Sequence, residues 1–153
     1  MSRETDQTLV MLATIAGCLE TFRQTNAFAR VDIKQTINAG FAACQNAIIH
    51  WPLMSNRYWV KERREDFTEF IMNHPDSGYS NVVLACMCER IIADLEERSR
   101  GNKKKSAMLA PISSTCRIIH NFCDPGGANF PAYEKSDELL DRLYAIIEWG
   151  EYA

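Results

Sequence analysis

The stretch "CRIIHNFC", residues 116 to 123, sets Cys116, His120 and Cys123 at offsets of zero, four and seven. At about 100° per residue, a helix gathers these positions into a sector of roughly 60°. Two thiols and an imidazole on one face are most of a tetrahedral zinc site, and "CMC" at Cys86–Cys88 is the nearest source of a fourth ligand. Residues two apart on a helix point in nearly opposite directions, so only one of that pair can join, most easily Cys88. Against zinc stands the company the thiols keep. Leu109, Ile112 and Ile119 share the stripe, where free cysteine packs as a small hydrophobe. Structural zinc sites also tend to use close-spaced ligand pairs. The favoured reading is buried thiols, with no metal and no cofactor.

His50, His74 and His120 each fall in the last turn of an expected helix. There the unpaired carbonyls and the negative end of the dipole attract an imidazole, which accounts for all three together. A catalytic histidine would have to meet a nucleophile and an orienting acid, and spacing alone shows neither. No catalytic residue is assigned, and an enzyme is the less favoured class.

Glu62, Glu65, Asp66 and Glu69 cluster on one face of an expected helix. Such faces can hold Mg²⁺ when a second helix brings further acids, and Glu89, Asp94 and Glu97 are available. This gives the reading of a metal-dependent hydrolase of the all-α type. The acidic face lies opposite Phe67 and Ile71, however, which turns it towards water as in any amphipathic helix.

Arg57, Lys61 and Arg64 form a basic stripe beside the acids, and "RSRGNKKK" concentrates Arg98, Arg100, Lys103, Lys104 and Lys105 in and before a loop. Brought together, these groups would make a patch for phosphates. The formal net charge of −3 weighs against a dedicated polyanion binder. "GNKKKS" is no P-loop, because the second glycine and a preceding strand are missing. G-x-S-x-G, H-E-x-x-H and EF-hand spacings are absent too. Phe130, Tyr133, Trp149 and Tyr152 lie near the C-terminus. Exposed aromatics anchor protein–protein contacts; the alternative is that "ANFPAY" folds back over one end of the protein.

Helical periodicity dominates the chain that must position these groups. One helix spans about Asp6 to Gln24 with Leu12, Ile15, Leu19 and Phe22 on a stripe, and a second starts at Asp32 as cap and closes at Pro52. A third covers about Asn56 to Asn73. A fourth starts at Ser80 with Leu84, Cys88, Ile91 and Leu95 inward, and Met87 and Ile92 beside them. The fifth ends at Cys123 before the strong stop "DPGGANFP", its start left open by Pro111. The last is capped by Ser136 and runs to about Trp149. About six helices with short loops describe one all-α domain over residues 1–153, an irregular antiparallel bundle.

A chain of 153 residues can bury about 68–70% of its unfolded surface and needs neither metal nor disulfide. Six cysteines suggest disulfides only in an exported protein. "MSRETDQTLVML" lacks the long apolar region of a signal peptide, so free thiols in a cytoplasmic protein are expected. No apolar run approaches the ~18 residues of a membrane span, so no membrane partner is expected. The resulting expectation is a small intracellular helical protein that binds another macromolecule, foremost a protein, as a regulator, inhibitor or assembly subunit. Phage and mobile-element accessory proteins are often of this type. Nucleic-acid binding through Arg57, Lys61, Arg64, Arg100 and Lys103–Lys105 is the alternative.

Overall fold

The computed structural model describes residues 3–24, 28, 30–51 and 81–150. Within them the chain forms five helices and no strand: α1 (Arg3–Arg23), α2 (Val31–His50), α3 (Asn81–Arg98), α4 (Lys103–Cys123) and α5 (Phe130–Gly150). The protein is all-α, as the periodicity requires. The helix expected over 56–73 lies outside the described residues.

The first helix is central and not amphipathic. No charged residue occurs between Asp6 and Glu20, and every residue from Thr8 to Leu19 is buried, well beyond the expected stripe. A helix that is apolar all round belongs inside. Thr14, buried among these residues, satisfies its hydroxyl by donating to the Val10 carbonyl at 2.8 Å.

Contacts along the other helices fix their directions. Arg98 near the end of α3 reaches Gln7 near the start of α1, so these two run antiparallel. Gly40 packs on Thr115, and Lys105 lies over Trp51 just past the end of α2, so α2 and α4 are antiparallel. Arg90 pairs with Asp137 and Tyr144 bonds Asp94, so α3 and α5 run the same way. A single apolar core unites all five. The expected inner face of α3 is buried, with Leu84, Met87, Cys88, Ile91, Ile92 and Leu95 all inside.

Three helix starts differ from expectation. Asp32 lies in the first turn of α2, where it pairs with Arg30 at 2.6 Å, and Arg30 holds the cap position without a side-chain bond. The basic stretch is mostly helix. Asn102 caps α4 by accepting from the Lys105 amide at 3.1 Å, which puts Lys103, Lys104 and Lys105 in the first turn. Pro111 sits inside α4, which passes through it. On α5, Asn129 accepts from the Ala132 amide at 3.2 Å and so starts the helix seven residues before Ser136. Pro131 follows in the first turn, where its missing N–H costs nothing. Ser136 is fully buried in the helix, its hydroxyl donating to the Tyr133 carbonyl.

Candidate functional site

The thiol–imidazole face of α4 divides between two environments. Cys116 is 1% exposed and faces the core. Cys88 of α3 lies within hydrogen-bonding reach of Cys116 and of Cys18 from α1, and Cys44 of α2 feels the same two thiols. Four helices thus each contribute one thiol to a common buried interior. Burial pushes the Cys44 thiol up, and hydrogen bonding among the sulfurs, then burial, does the same for Cys88. Neutral thiols packed as small hydrophobes explain the group. Among the described residues, no three histidine, cysteine or acidic side chains are arranged to hold a metal ion.

His120 turns the other way, towards α3. Its Nδ1–H donates to Glu89 Oε2 at 2.9 Å, with the imidazole side chain 12% exposed and the carboxylate 31%. Its Nε2 lies 3.4 Å from Cys86 Sγ. An ionised carboxylate only accepts hydrogen bonds, so the Nδ1 proton is assigned by Glu89 and Nε2 is left to accept from the thiol. Helix geometry brings the three together: Cys86 and Glu89 are one turn apart on α3, and His120 opposes both from antiparallel α4. The two cysteines of "CMC" therefore part company, Cys88 joining the core and Cys86 meeting His120. This chain lies near the end of α4. Beyond it, Tyr133 packs its ring 6.0 Å from the imidazole and bonds Asp124 at 3.2 Å.

Burial pushes the Cys86 thiol up to about 11, and the carboxylates of Glu89 and Asp124 add to the effect while Arg90 opposes it. Cys123, the last residue of α4, is half-buried and is raised to about 11 by burial and by Asp124. Chemically, the arrangement is a carboxylate that orients an imidazole whose free nitrogen can take a proton from a thiol. The sequence lacked any signal for it, because Cys86 and His120 are 34 positions apart.

Beside the chain, a shallow groove of about 340 Å³ runs between α3 and α4, and Glu89, Arg90, Glu96, Ser113 and Arg117 line it. The acids offered for an Mg²⁺ site are engaged locally: Glu89 with His120, Asp94 with Arg98 and Tyr144, and Glu97 with Arg100. Glu62, Glu65, Asp66 and Glu69 lie outside the described residues, as do His74 and the stripe of Arg57, Lys61 and Arg64. His50 is exposed at the end of α2. Of the basic group on and before α4, Arg98 binds Asp94, Arg100 binds Glu97 at 2.5 Å, and Lys105 stacks on Trp51 at 5.2 Å. Lys103 and Lys104 are exposed.

The aromatic group divides as well. Tyr133 folds back against His120, whereas Phe130 is 68% exposed, its ring edge-on to Tyr133 at 6.1 Å. Tyr152 and the Trp149 side chain lie outside what is described. No helix among the described residues is long and apolar enough to cross a membrane. No known protein family, curated protein or solved structure matches the chain.

Proposed function

We propose that this protein acts in the cytoplasm by binding another macromolecule, foremost a protein, as a regulator, inhibitor or assembly subunit. The observation that carries the reading is the presentation of Phe130. The loop before it is held by Asp124, whose Oδ2 accepts from the Asn129 amide and from the Tyr133 hydroxyl, both at 3.2 Å. Gly127, at φ 62°, makes the turn, in a backbone region that glycine enters without steric cost. An exposed ring on a pinned helix start loses little freedom when it docks, which is what an interface anchor needs. Six free thiols suit a reducing compartment.

Affinity capture from native lysate with the wild-type chain and with Phe130→Asp tests this reading. We expect a partner that binds the first and not the second, at affinity that varies little with salt. If capture instead requires Lys103 and Lys104 and collapses steeply with ionic strength, phosphate contacts carry the binding and the protein reading fails.

A further inference from the structure

We propose that Cys86 is a base-assisted thiol that a small hydroperoxide oxidises, with His120 taking its proton, Glu89 orienting the imidazole and Cys123 resolving the product as a disulfide. This is independent of whatever docks on Phe130.

Three features point to this chemistry. The proton acceptor is already in place, since Nε2 lies 3.4 Å from Sγ and Glu89 holds the other nitrogen at 2.9 Å. The thiol is 3% exposed, which excludes bulky electrophiles and favours a reagent near the size of water. A second thiol sits on the same face of α4 as His120. Cys123 lies one turn beyond His120 on the same side of α4 and is among the groups that act on Cys86. As the terminal residue of its helix, Cys123 can move towards Cys86 without breaking helical hydrogen bonds deeper in α4.

The steps balance. The Cys86 proton passes to His120 Nε2, and the sulfur attacks the terminal oxygen of the hydroperoxide. The O–O bond breaks and the alcohol, or water from hydrogen peroxide, leaves with the proton held by His120. Sulfur is oxidised by two electrons to the sulfenic acid, and the peroxide is reduced by two. The Cys123 thiol then attacks the sulfenic sulfur, the S–S bond forms, and hydroxide leaves as water after taking the Cys123 proton.

The charged and titratable groups around the thiol are Glu89 and Arg90 from α3, His120 and Cys123 from α4, Asp124 after it and Tyr133 from α5. With burial foremost and the carboxylates of Glu89 and Asp124 also opposing ionisation, Cys86 forms little thiolate unaided near neutral pH. Its reactivity there depends on the proton transfer to His120.

The test treats the reduced full-length protein with hydrogen peroxide at neutral pH, quenches by alkylation and maps each cysteine by mass spectrometry. We expect a Cys86–Cys123 disulfide to appear first, reversible by dithiothreitol, while Cys18, Cys44, Cys88 and Cys116 stay reduced. Cys123→Ser should stop the reaction at a sulfenic acid on Cys86, which dimedone traps once the protein is unfolded in its presence. His120→Gln should slow oxidation of Cys86 by about tenfold or more, within the range general bases supply, and Glu89→Gln, a milder change at a partly exposed site, should slow it by less. Each variant is compared at matched helicity by circular dichroism. Equal oxidation rates in wild type, Glu89→Gln and His120→Gln would overturn the proposal. So would a Cys86 rate that rises without a break up to the thiol's own ionisation.

Discussion

A Cβ placed on Gly40 of α2 would stand 2.4 Å from Cγ2 and 2.8 Å from Cβ of Thr115 on α4. The two helices meet there backbone to side chain, and Thr115 is itself 5% exposed. Gly40→Ala should therefore destabilise the protein by about 1–3 kcal/mol through overpacking, even though alanine is the better helix former. Urea denaturation measures this. Thr115→Ala in the same chain should recover part of the loss, because it removes Cγ2 and Oγ1 but leaves Cβ. A stabilised Gly40→Ala protein would show that the crossing is looser than described.

Alkaline pH should weaken the fold. Cys86 and Cys123 are raised from an ordinary 9.0 to about 11, and burial and Asp94 raise Tyr144 as well. For an acid whose folded value is the higher, the native state holds its proton longer than the unfolded chain does. The contribution is then complete below about pH 9 and disappears as pH rises through about 11. The urea midpoint should fall across that window, and Cys86→Ala should make the decline shallower. A midpoint that is flat up to pH 11 would contradict the raised thiols.

The burial of α1 makes it the least tolerant helix. Leu19 is 0% exposed, and Leu19→Ala should cost about 2–5 kcal/mol by leaving a cavity. Ala110 is exposed on α4, so Ala110→Glu should change stability by no more than ~0.5 kcal/mol. Thermal melts of the two variants side by side make the comparison. Similar shifts would mean that α1 is not the centre of the core.

Tyr144 fastens α5 to α3. Its hydroxyl donates to Asp94 Oδ2 at 2.9 Å, and Arg98 takes the other carboxylate oxygen at 3.1 Å while reaching Gln7 of α1. Tyr144→Phe keeps the ring and removes the donor, and should cost about 1 kcal/mol. Asp94 keeps Arg98 as a partner, so a larger loss is not expected. Chemical denaturation that leaves the midpoint unchanged would show that water replaces the phenol at no cost.

Fold class and the inner face of α3 were legible because both are written as local periodicity. The central place of α1 was also written, as a stretch without charge from Gln7 to Leu19, but the expected stripe of large side chains leaves out the small residues between them, which are buried too. Helix starts were misjudged where several residues can cap. Asp32 and Ser136 are good caps by type, yet Arg30 and Asn129 hold those positions because proline tolerates a first turn and Asp32 is occupied by an ion pair. The Glu89–His120–Cys86 chain was illegible for a different reason. It depends on the register between two helices, which no spacing within either helix encodes. Buried thiols were correctly expected for Cys116 and Cys88 from their apolar neighbours, whereas Cys86 lies on the opposite side of its helix and is buried all the same.

Pro111 offers the sharpest check on α4. It is exposed in the helix interior, several turns before the end at Cys123. Proline there removes one main-chain hydrogen bond and crowds the preceding turn, at a cost of about 3 kcal/mol relative to alanine. Two effects reduce what Pro111→Ala can recover. The unfolded chain regains freedom worth roughly 0.4–1 kcal/mol, and a helix already packed with proline in place must readjust against the core. Leu109, Ile112 and Cys116 are buried on that core face, so readjustment would shift contacts on both sides of Pro111. We therefore expect a net gain of about 1–2 kcal/mol, read as a higher urea midpoint with an unchanged slope. A loss of stability would mean that the backbone geometry Pro111 imposes is what seats Thr115 against Gly40. In that case Pro111→Ala and Gly40→Ala should be strongly non-additive in the double variant.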